Sequence, residues 1–469
     1  MALIKSISGF RGTIGGVPEA NLTPVDIVKF SAAFSQFIKE SSGRDNVTIV
    51  TGRDARVSGE MVNRLVVGTL TGMGVRVIDT GLSTTPSVEM AVTEHNADGG
   101  IILTASHNPA QWNALKLLNA KGEFINAEEG KRVLDLAAAN RFNFATIERL
   151  GEYIEDNNSI EKHIDKVIAL DLVDVEAIRR ANFKVAIDGV CSTGGIVLTQ
   201  LLERLGVRDI VALNAEPTGI FPHNPEPLPE HITDLCRAVR ENKCDVGFVV
   251  DPDVDRLAIV CENGEPFVEE YTLVAVADYV LSKTAGNTVS NLSSSRALRD
   301  VTERYGQHYS AAAVGEVNVV ECMKATQAVI GGEGNGGVIY PALHYGRDAL
   351  AGVALFLSLL ANKGMKCSLL RATYPNYVIS KNKIELTPDI DVDYVLNQIA
   401  EKHKDEDIST IDGVKINFPN NWVHLRKSNT EPIIRIYSES NTAEEANALA
   451  NEIIKEIKAC INRSEPKNI

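Results

Sequence analysis

Apolar positions along the first 150 residues follow two rhythms. After Thr23-Pro24, a capping residue followed by a proline suited to a first helical turn, Ile27, Phe30, Phe34, Phe37 and Ile38 recur at helical spacing and mark one buried face. Short unbroken apolar runs at 47–50, 75–78 and 101–103 have strand length instead. Each run empties into a polar loop: Thr51-Gly-Arg-Asp, Asp79-Thr-Gly and Thr104-Ala-Ser-His-Asn-Pro. Strands alternating with helices in this way predict a parallel α/β sheet, whose ligands gather at the carboxyl ends of the strands.

The rhythm resets further on. Residues 155–182 are charged and helix-prone, and a second α/β unit opens with Lys184-Val-Ala-Ile-Asp188. That unit runs to Val246-Gly-Phe-Val-Val-Asp-Pro-Asp-Val-Asp-Arg256, after which 257–260 resumes strand character. A third unit carries two glycine-rich segments, and Thr373-Tyr-Pro-Asn marks the boundary of a last unit that ends in a lysine-studded helix. The expected division is 1–155, 156–261, 262–372 and 373–469: three mixed α/β domains and a smaller α+β C-terminal one.

Length agrees, because 469 residues exceed what one hydrophobic core usually serves. The formal charge of −15 argues against a nucleic-acid or anionic-membrane binder, yet leaves room for a small anionic substrate held by local arginines. The first ten residues lack signal-peptide features, and no apolar run approaches the roughly 20 residues of a membrane span. Seven scattered cysteines without a C-x-x-C pair suit a reducing, cytoplasmic setting, and the nine histidines show no metal-ligand spacing.

Two loops carry the chemistry. Ser106 sits on a turn directly after a strand, where its hydroxyl can face a ligand. The G-x-S-x-G elbow of acyl-transfer enzymes is absent, so a hydrogen-bonding turn and a phosphoryl-carrying serine both remain open. Asp251, Asp253 and Asp255 place carboxylates at alternate positions after a strand, able to converge on a hard divalent cation. An EF-hand is excluded because Arg256 stands where the loop glycine belongs; an aspartyl-phosphate phosphatase survives, though Asp255 is unusual for it.

Four more segments suit a phosphorylated sugar. Ser8-Gly-Phe-Arg-Gly12 and Gly52-Arg-Asp-Ala-Arg-Val-Ser58 each set arginine in a turn. Gly331-Gly-Glu-Gly-Asn-Gly-Gly337 joins a flexible backbone to Glu333 and Asn335, which fit sugar hydroxyls better than phosphate. It matches neither dinucleotide nor nucleotide phosphate loops. Arg426-Lys-Ser-Asn-Thr-Glu-Pro432, with Arg435 beyond it, offers Arg426, Ser428, Asn429 and Thr430 as a dense anion nest. Lys116 follows the serine loop, and a buried, cation-flanked lysine there could lose its proton and act as a base.

Taken in order, S-G-x-R-G, G-R-D-x-R, T-A-S-H-N-P, D-P-D-x-D-R, G-E-x-x-G and R-x-S-x-T-E-P resemble the α-D-phosphohexomutase family over essentially the whole chain. The resemblance implies four domains around a central cleft, a phosphoserine at Ser106 and Mg²⁺ on Ser106, Asp251, Asp253 and Asp255. It places Arg11 and Lys116 at general acid/base positions, with His107 and Arg256 beside them. Glu333, Asn335 and Gly336 fall at sugar-contacting positions, and Arg426, Ser428, Asn429, Thr430 and Arg435 at a distal phosphate site. The implied reaction interconverts hexose 6-phosphate and hexose 1-phosphate through a 1,6-bisphosphate, which is intermediate and activator. The glycine and Arg426 loops look most like the phosphoglucosamine mutase branch, although many members have serine at position 335 and histidine at 337. A phosphoglucomutase/phosphomannomutase, a phosphosugar phosphatase and a non-catalytic phosphosugar-binding regulator are the competing readings. A monomer or homodimer is expected.

Overall fold

The computed structural model describes residues 3–6, 9–387, 390–427 and 433–464. Its compact units are two: 1–284 with 329–371, and 285–328 with 372–469.

In the first unit, strands β1 (Ile4–Ser6), β2 (Gly9–Thr13), β3 (Thr48–Arg53), β4 (Arg76–Leu82), β5 (Gly99–Leu103), β6 (Trp112–Leu118) and β7 (Tyr153–Glu155) form one mixed sheet, ordered β1-β2-β6-β5-β3-β4-β7. The expected first helix runs Pro24–Ser42. Its entry is fixed by Asp26, whose Oδ2 accepts from the Thr23 backbone N–H at 3.1 Å and from the Thr23 hydroxyl at 2.5 Å. Ile27, Phe30, Phe34, Phe37 and Ile38 are all buried, and Phe30 stacks on Phe10 of β2 with ring centroids 3.8 Å apart.

A second sheet joins β8 (Lys184–Asp188), β9 (Asp209–Leu213), β10 (Val246–Val250) and β11 (Leu257–Cys261) in the order β11-β10-β8-β9. Here β10 is parallel to β8 and antiparallel to β11, so the chain reverses within 251–256 and leaves the three aspartates on the connecting turn. Both β10 and β11 are buried throughout, which accounts for their continuous apolar runs. The same unit holds the hairpin of β14 (Ile330–Glu333) and β15 (Gly337–Ile339), followed by the buried helix Ala349–Lys363.

The second unit contains the parallel pair β12 (Thr288–Asn291) and β13 (Tyr309–Ala312). It also contains β16 (Val378–Glu385), β17 (Asp407–Ser409), β18 (Val414–Asn417), β19 (Trp422–Lys427) and β20 (Ile433–Ser440), an antiparallel sheet ordered β16-β20-β19-β18-β17. Val423, Leu425, Ile434 and Ile436 point to its core, alternating with His424, Arg426, Arg435 and Tyr437 on the other face. The chain thus divides its third α/β stretch between the two units, a partition that local periodicity does not carry.

His424 is nearly fully buried, with Nε2 donating to the Asp412 carbonyl at 2.7 Å and Nδ1 2.9 Å from Ser293 Oγ. Burial, joined by the nearby Lys415 and Arg426 charges, pushes its pKa down to about 4. The unfolded chain, titrating near the ordinary 6.5, takes up the proton first as pH falls. The neutral imidazole therefore contributes stability above pH ~6.5 that is lost on acidification towards pH ~4, a change on the order of 3 kcal/mol. Denaturant unfolding of this unit should weaken less between pH 7 and 4.5 in His424→Gln than in the wild type; parallel losses in the two proteins would rule the assignment out.

Candidate active site

The serine loop and the aspartate loop meet. Ser106 Oγ donates to Asp251 Oδ2 at 2.7 Å, both groups being buried. Ser106 itself is left-handed, φ +50°, a conformation that costs a non-glycine residue about 1–2 kcal/mol and persists only where its surroundings impose it. Those surroundings are Arg56. Its guanidinium donates to Asp54 Oδ2 (3.0 Å) and to the carbonyls of Pro109 (2.8 Å), Trp112 (3.0 Å), Ser106 (2.5 Å) and Asn108 (2.6 Å). Asp54 Oδ2 also accepts from Thr104 Oγ1, which in turn accepts from the Ser106 N–H. Of the two arginines in this turn, Arg56 is therefore turned to the protein and away from a ligand. Every donor of Arg56 is committed to a protein acceptor, so the residue builds the serine loop.

The aspartate turn is held from three sides. Thr85, at the start of the helix Thr85–Glu94, donates its N–H to the Asp253 carbonyl (2.9 Å) and its hydroxyl to Asp253 Oδ2 (2.6 Å). Ser192 and Thr193 both donate to the Pro252 carbonyl, at 2.7 and 3.0 Å. The Ala349 N–H reaches the Val254 carbonyl at 3.3 Å. These contacts hold Val254, a β-branched residue, at φ +62°.

Among the described residues, Asp251, Asp253 and Asp255 are the group of acids that brings three ligand atoms within 4.8 Å of one another. Asp253 and Asp255 each have one oxygen occupied, by Thr85 with Lys116 and by Arg347; Asp251 has both, Oδ2 by Ser106 and Oδ1 by the Asp255 and Arg256 N–H groups. Asp253 Oδ1 and Asp255 Oδ1 are buried without a hydrogen-bond partner. Burial and repulsion from Asp255 and Asp253 push the Asp251 carboxyl well above its usual range. For Asp253 burial acts upward too, but Lys116 and Thr85 outweigh it and hold the group below the ordinary carboxylate range. Orphaned carboxylate oxygens in a buried, anion-crowded turn fit a hard divalent cation such as Mg²⁺.

Lys116 on β6 donates to Asp253 Oδ2 at 2.7 Å and lies 3.8 Å from Asp255 Oδ2. Burial alone would lower its pKa, but Asp253 and Asp255 raise it above the usual value. Two carboxylates thus flank the lysine and favour its charged form, while the Arg347 charge acts the other way. Arg11 on β2 pairs with Ala114 while Gly9 pairs with Lys116, so Arg11 and Lys116 share one face of the sheet. His107 Nδ1 stands 3.4 Å from Ser106 Oγ, and its pKa is driven well below 6.5 by burial and by the Arg256, Arg347 and Lys116 charges; it is neutral. Arg256 Nη1 donates to Glu226 at 3.3 Å, and its backbone N–H donates to Asp251 Oδ1.

In the glycine loop, Glu333 Oε2 accepts from Arg347 Nη1 at 2.7 Å and from Asn335 Nδ2 at 3.4 Å. The loop is the tight turn of the β14–β15 hairpin. Gly336 has φ +89°, and a Cβ there would stand 2.4 Å from the Leu257 carbonyl of β11, so close backbone approach demands the glycine.

In the second unit Arg426 of β19 and Arg435 of β20 are register partners, and Lys383 of β16 lies opposite Arg435. Like charges directly opposite on neighbouring strands repel, so this cationic row suits an anion. Asp412 anchors Arg426 at 3.3 Å. Ser428, Asn429 and Thr430 lie outside the described residues. Reading the sequence missed Arg347, Thr85 and Glu226, which reach the aspartate turn and its neighbours through packing, and Lys383, which joins Arg435 through strand register in the second unit; the Gly-Arg-Asp run ending at Asp348 was the one local signal for Arg347.

Fold and site define a phosphosugar mutase, an intramolecular phosphotransferase of the phosphohexomutase class. Models of the phosphoglucomutase/phosphomannomutase family match its alpha/beta/alpha domains I, II and III at residues 5–144, 161–264 and 269–377, and its C-terminal domain at 387–456. The chain belongs to that family. It is 36% identical to a phosphoglucomutase/phosphomannomutase of Thermococcus kodakarensis over 93% of this chain and 95% of that one. A phosphoglucosamine/phosphogalactosamine mutase of Sulfurisphaera tokodaii is 32% identical, over 95% and 98%. Among solved structures, a putative phosphomannomutase from Thermus thermophilus superposes with a TM-score of 0.82 at 25% identity, over 98% and 99%. Among the described residues no helix is long and apolar enough to cross a membrane.

Arg56→Met would strand Asp54 as an uncompensated buried charge and deprive four carbonyls of their donor, costing roughly 3–5 kcal/mol. Arg56→Lys should recover only part of the loss. Urea unfolding followed alongside turnover checks this, and an unchanged midpoint for Arg56→Met would show that the loop holds itself.

Proposed function

We propose that the enzyme interconverts hexose 6-phosphate and hexose 1-phosphate through a phosphoserine at Ser106, with glucosamine phosphate as its substrate. The observation that carries this reading is the Ser106–Asp251 contact, which sets a hydroxyl against a triad suited to a divalent ion. Asp251, Asp253 and Asp255 would hold Mg²⁺ together with an oxygen of the serine phosphate. When bound, the ion would supply charge neutralisation for phosphoryl transfer.

In the proposed reaction the free hydroxyl of the bound monophosphate attacks the Ser106 phosphorus. A P–O bond forms to the sugar, the bond to Ser106 Oγ breaks, and the hydroxyl proton ends on Oγ. Neutral His107 is the group in hand to take that proton and pass it to Oγ, while Lys116, charged beside Asp253, is placed as the acid partner, with Arg11 on the same sheet face. Arg256 offsets charge on the triad. The 1,6-bisphosphate then turns round and returns its other phosphate to Ser106. Glu333, Asn335 and Gly336 would recognise the sugar; Arg426, Ser428, Asn429, Thr430 and Arg435 would hold the distal phosphate. The Sulfurisphaera relative's name supports an amino sugar, and that of the Thermococcus relative supports glucose or mannose phosphate as the alternative. The four-domain division at 155, 261 and 372 and a cytoplasmic setting belong to the same reading.

Intact-mass analysis should find one phosphate on the purified enzyme, lost in Ser106→Ala. That variant should turn over slower by on the order of 10³-fold or more. A coupled assay with glucosamine, glucose and mannose phosphates ranks the substrates. Steady release of inorganic phosphate would mark a phosphatase, and binding without turnover a regulator; full activity in Ser106→Ala would sink the covalent route.

A further inference from the structure

Arg347 stands between the two parts of the site that the reaction must keep in register. Its Nη2 donates to Asp255 Oδ2 at 2.5 Å and its Nη1 to Glu333 Oε2 at 2.7 Å. All three side chains are buried. A planar guanidinium fixes the separation and orientation of two carboxylates in a way a single ammonium cannot.

The hairpin is shaped to admit it. A Cβ built on Gly337 would fall 2.3 Å from Arg347 Cδ, so the arginine side chain lies across the backbone where a side chain at 337 would stand. Arg347 is also anchored through its neighbours. The Asp348 N–H donates to the Val338 carbonyl at 2.8 Å, and Asp348 Oδ1 caps the helix Ala349–Lys363 through the Leu350 and Ala351 N–H groups. The other oxygen, Asp348 Oδ2, lies 2.8 Å from His163 Nε2 and 3.1 Å from His344 Nε2. The Ala349 N–H adds the contact to Val254 in the aspartate turn. The guanidinium therefore has a backbone fixed at both the hairpin and the metal turn.

We propose that Arg347 is a positioning residue: it locks the sugar-loop carboxylate Glu333 to the triad carboxylate Asp255 and, by its charge, holds down the affinity of the triad for a divalent cation. Asp255 Oδ2 is occupied by the arginine, which leaves Oδ1 for the ion and sets a positive charge beside it. A residue that merely supported the turn would, when removed, weaken cation binding and turnover together. Arg347 has the opposite signature, because its loss raises the negative charge on the triad while it releases Glu333. The part concerning turnover rests on the mutase reading above; the part concerning the cation does not.

The test uses the whole enzyme and Mn²⁺ titration without substrate, alongside kcat and KM in the coupled assay. In Arg347→Gln the Mn²⁺ dissociation constant should fall by roughly tenfold. Loss of register should cut kcat by roughly 100-fold. Arg347→Lys keeps the charge, so its Mn²⁺ affinity should stay near the wild-type value, while kcat recovers only in part because one ammonium cannot bridge both carboxylates. Should Arg347→Gln fail to fold, Gly337→Ala displaces the same guanidinium and should shift both readouts in the same directions. Weaker Mn²⁺ binding, or no change in either readout, overturns the proposal. If the wild type shows no mutase turnover yet Arg347→Gln binds Mn²⁺ more tightly, the mutase reading falls and the cation part stands.

Discussion

Three carboxylates crowded into one buried turn are the constraint around which the first unit is arranged. Without compensation such a cluster would be expelled to solvent or neutralised by protons, as the raised pKa of Asp251 indicates. Lys116 and Arg347 come from two other parts of the chain to stand beside it, Arg256 follows it directly in sequence, and Thr85 and the Ser106 hydroxyl supply further donors. Asp253 Oδ1 and Asp255 Oδ1 still lack a hydrogen-bond partner, so the protein alone leaves the cluster incompletely satisfied. An apolar turn would be more stable; the persistence of this one points to a ligand as the reason for it.

The same logic explains why so much of the structure is spent holding loops. The serine turn has little apolar surface to bury, and its carbonyls face inward. Arg56 satisfies four of them at once and pairs with Asp54, which makes one side chain the equivalent of a short piece of secondary structure. Ser192, Thr193, Thr85 and Ala349 do comparable work for the aspartate turn. Left-handed backbone at Ser106 and Val254 is tolerated because these contacts over-determine it. In the second unit Lys383, Arg435 and Arg426 stand opposite one another across three strands, with Glu385 beside Lys383 and Asp412 beside Arg426.

By itself the sequence determined the elements and the reactive residue types. The apolar runs around 47–50, 75–78, 101–103, 184–188 and 246–250 became strands, and the helical face from Ile27 to Ile38 became core, because those signals are local periodicities that any packing must respect. Ser106 and the three aspartates were visible because strand ends expose loops, and the six ordered motifs tied them to one family.

Tertiary structure decided which groups meet and what each then does. Ser106 and Asp251 are 145 positions apart, and nothing local says that they touch. Arg56 looks like a ligand-binding arginine in its motif and is a loop-builder in the fold; Lys116 looks free to lose a proton and is pinned charged by Asp253 and Asp255. Glycines at 336 and 337 read as flexibility, yet they mark where β11 and Arg347 press against the hairpin. The reason is the same in each case. Charge state and hydrogen-bond commitment are properties of a residue's neighbours in space, and those neighbours come from distant segments whose packing no periodicity encodes.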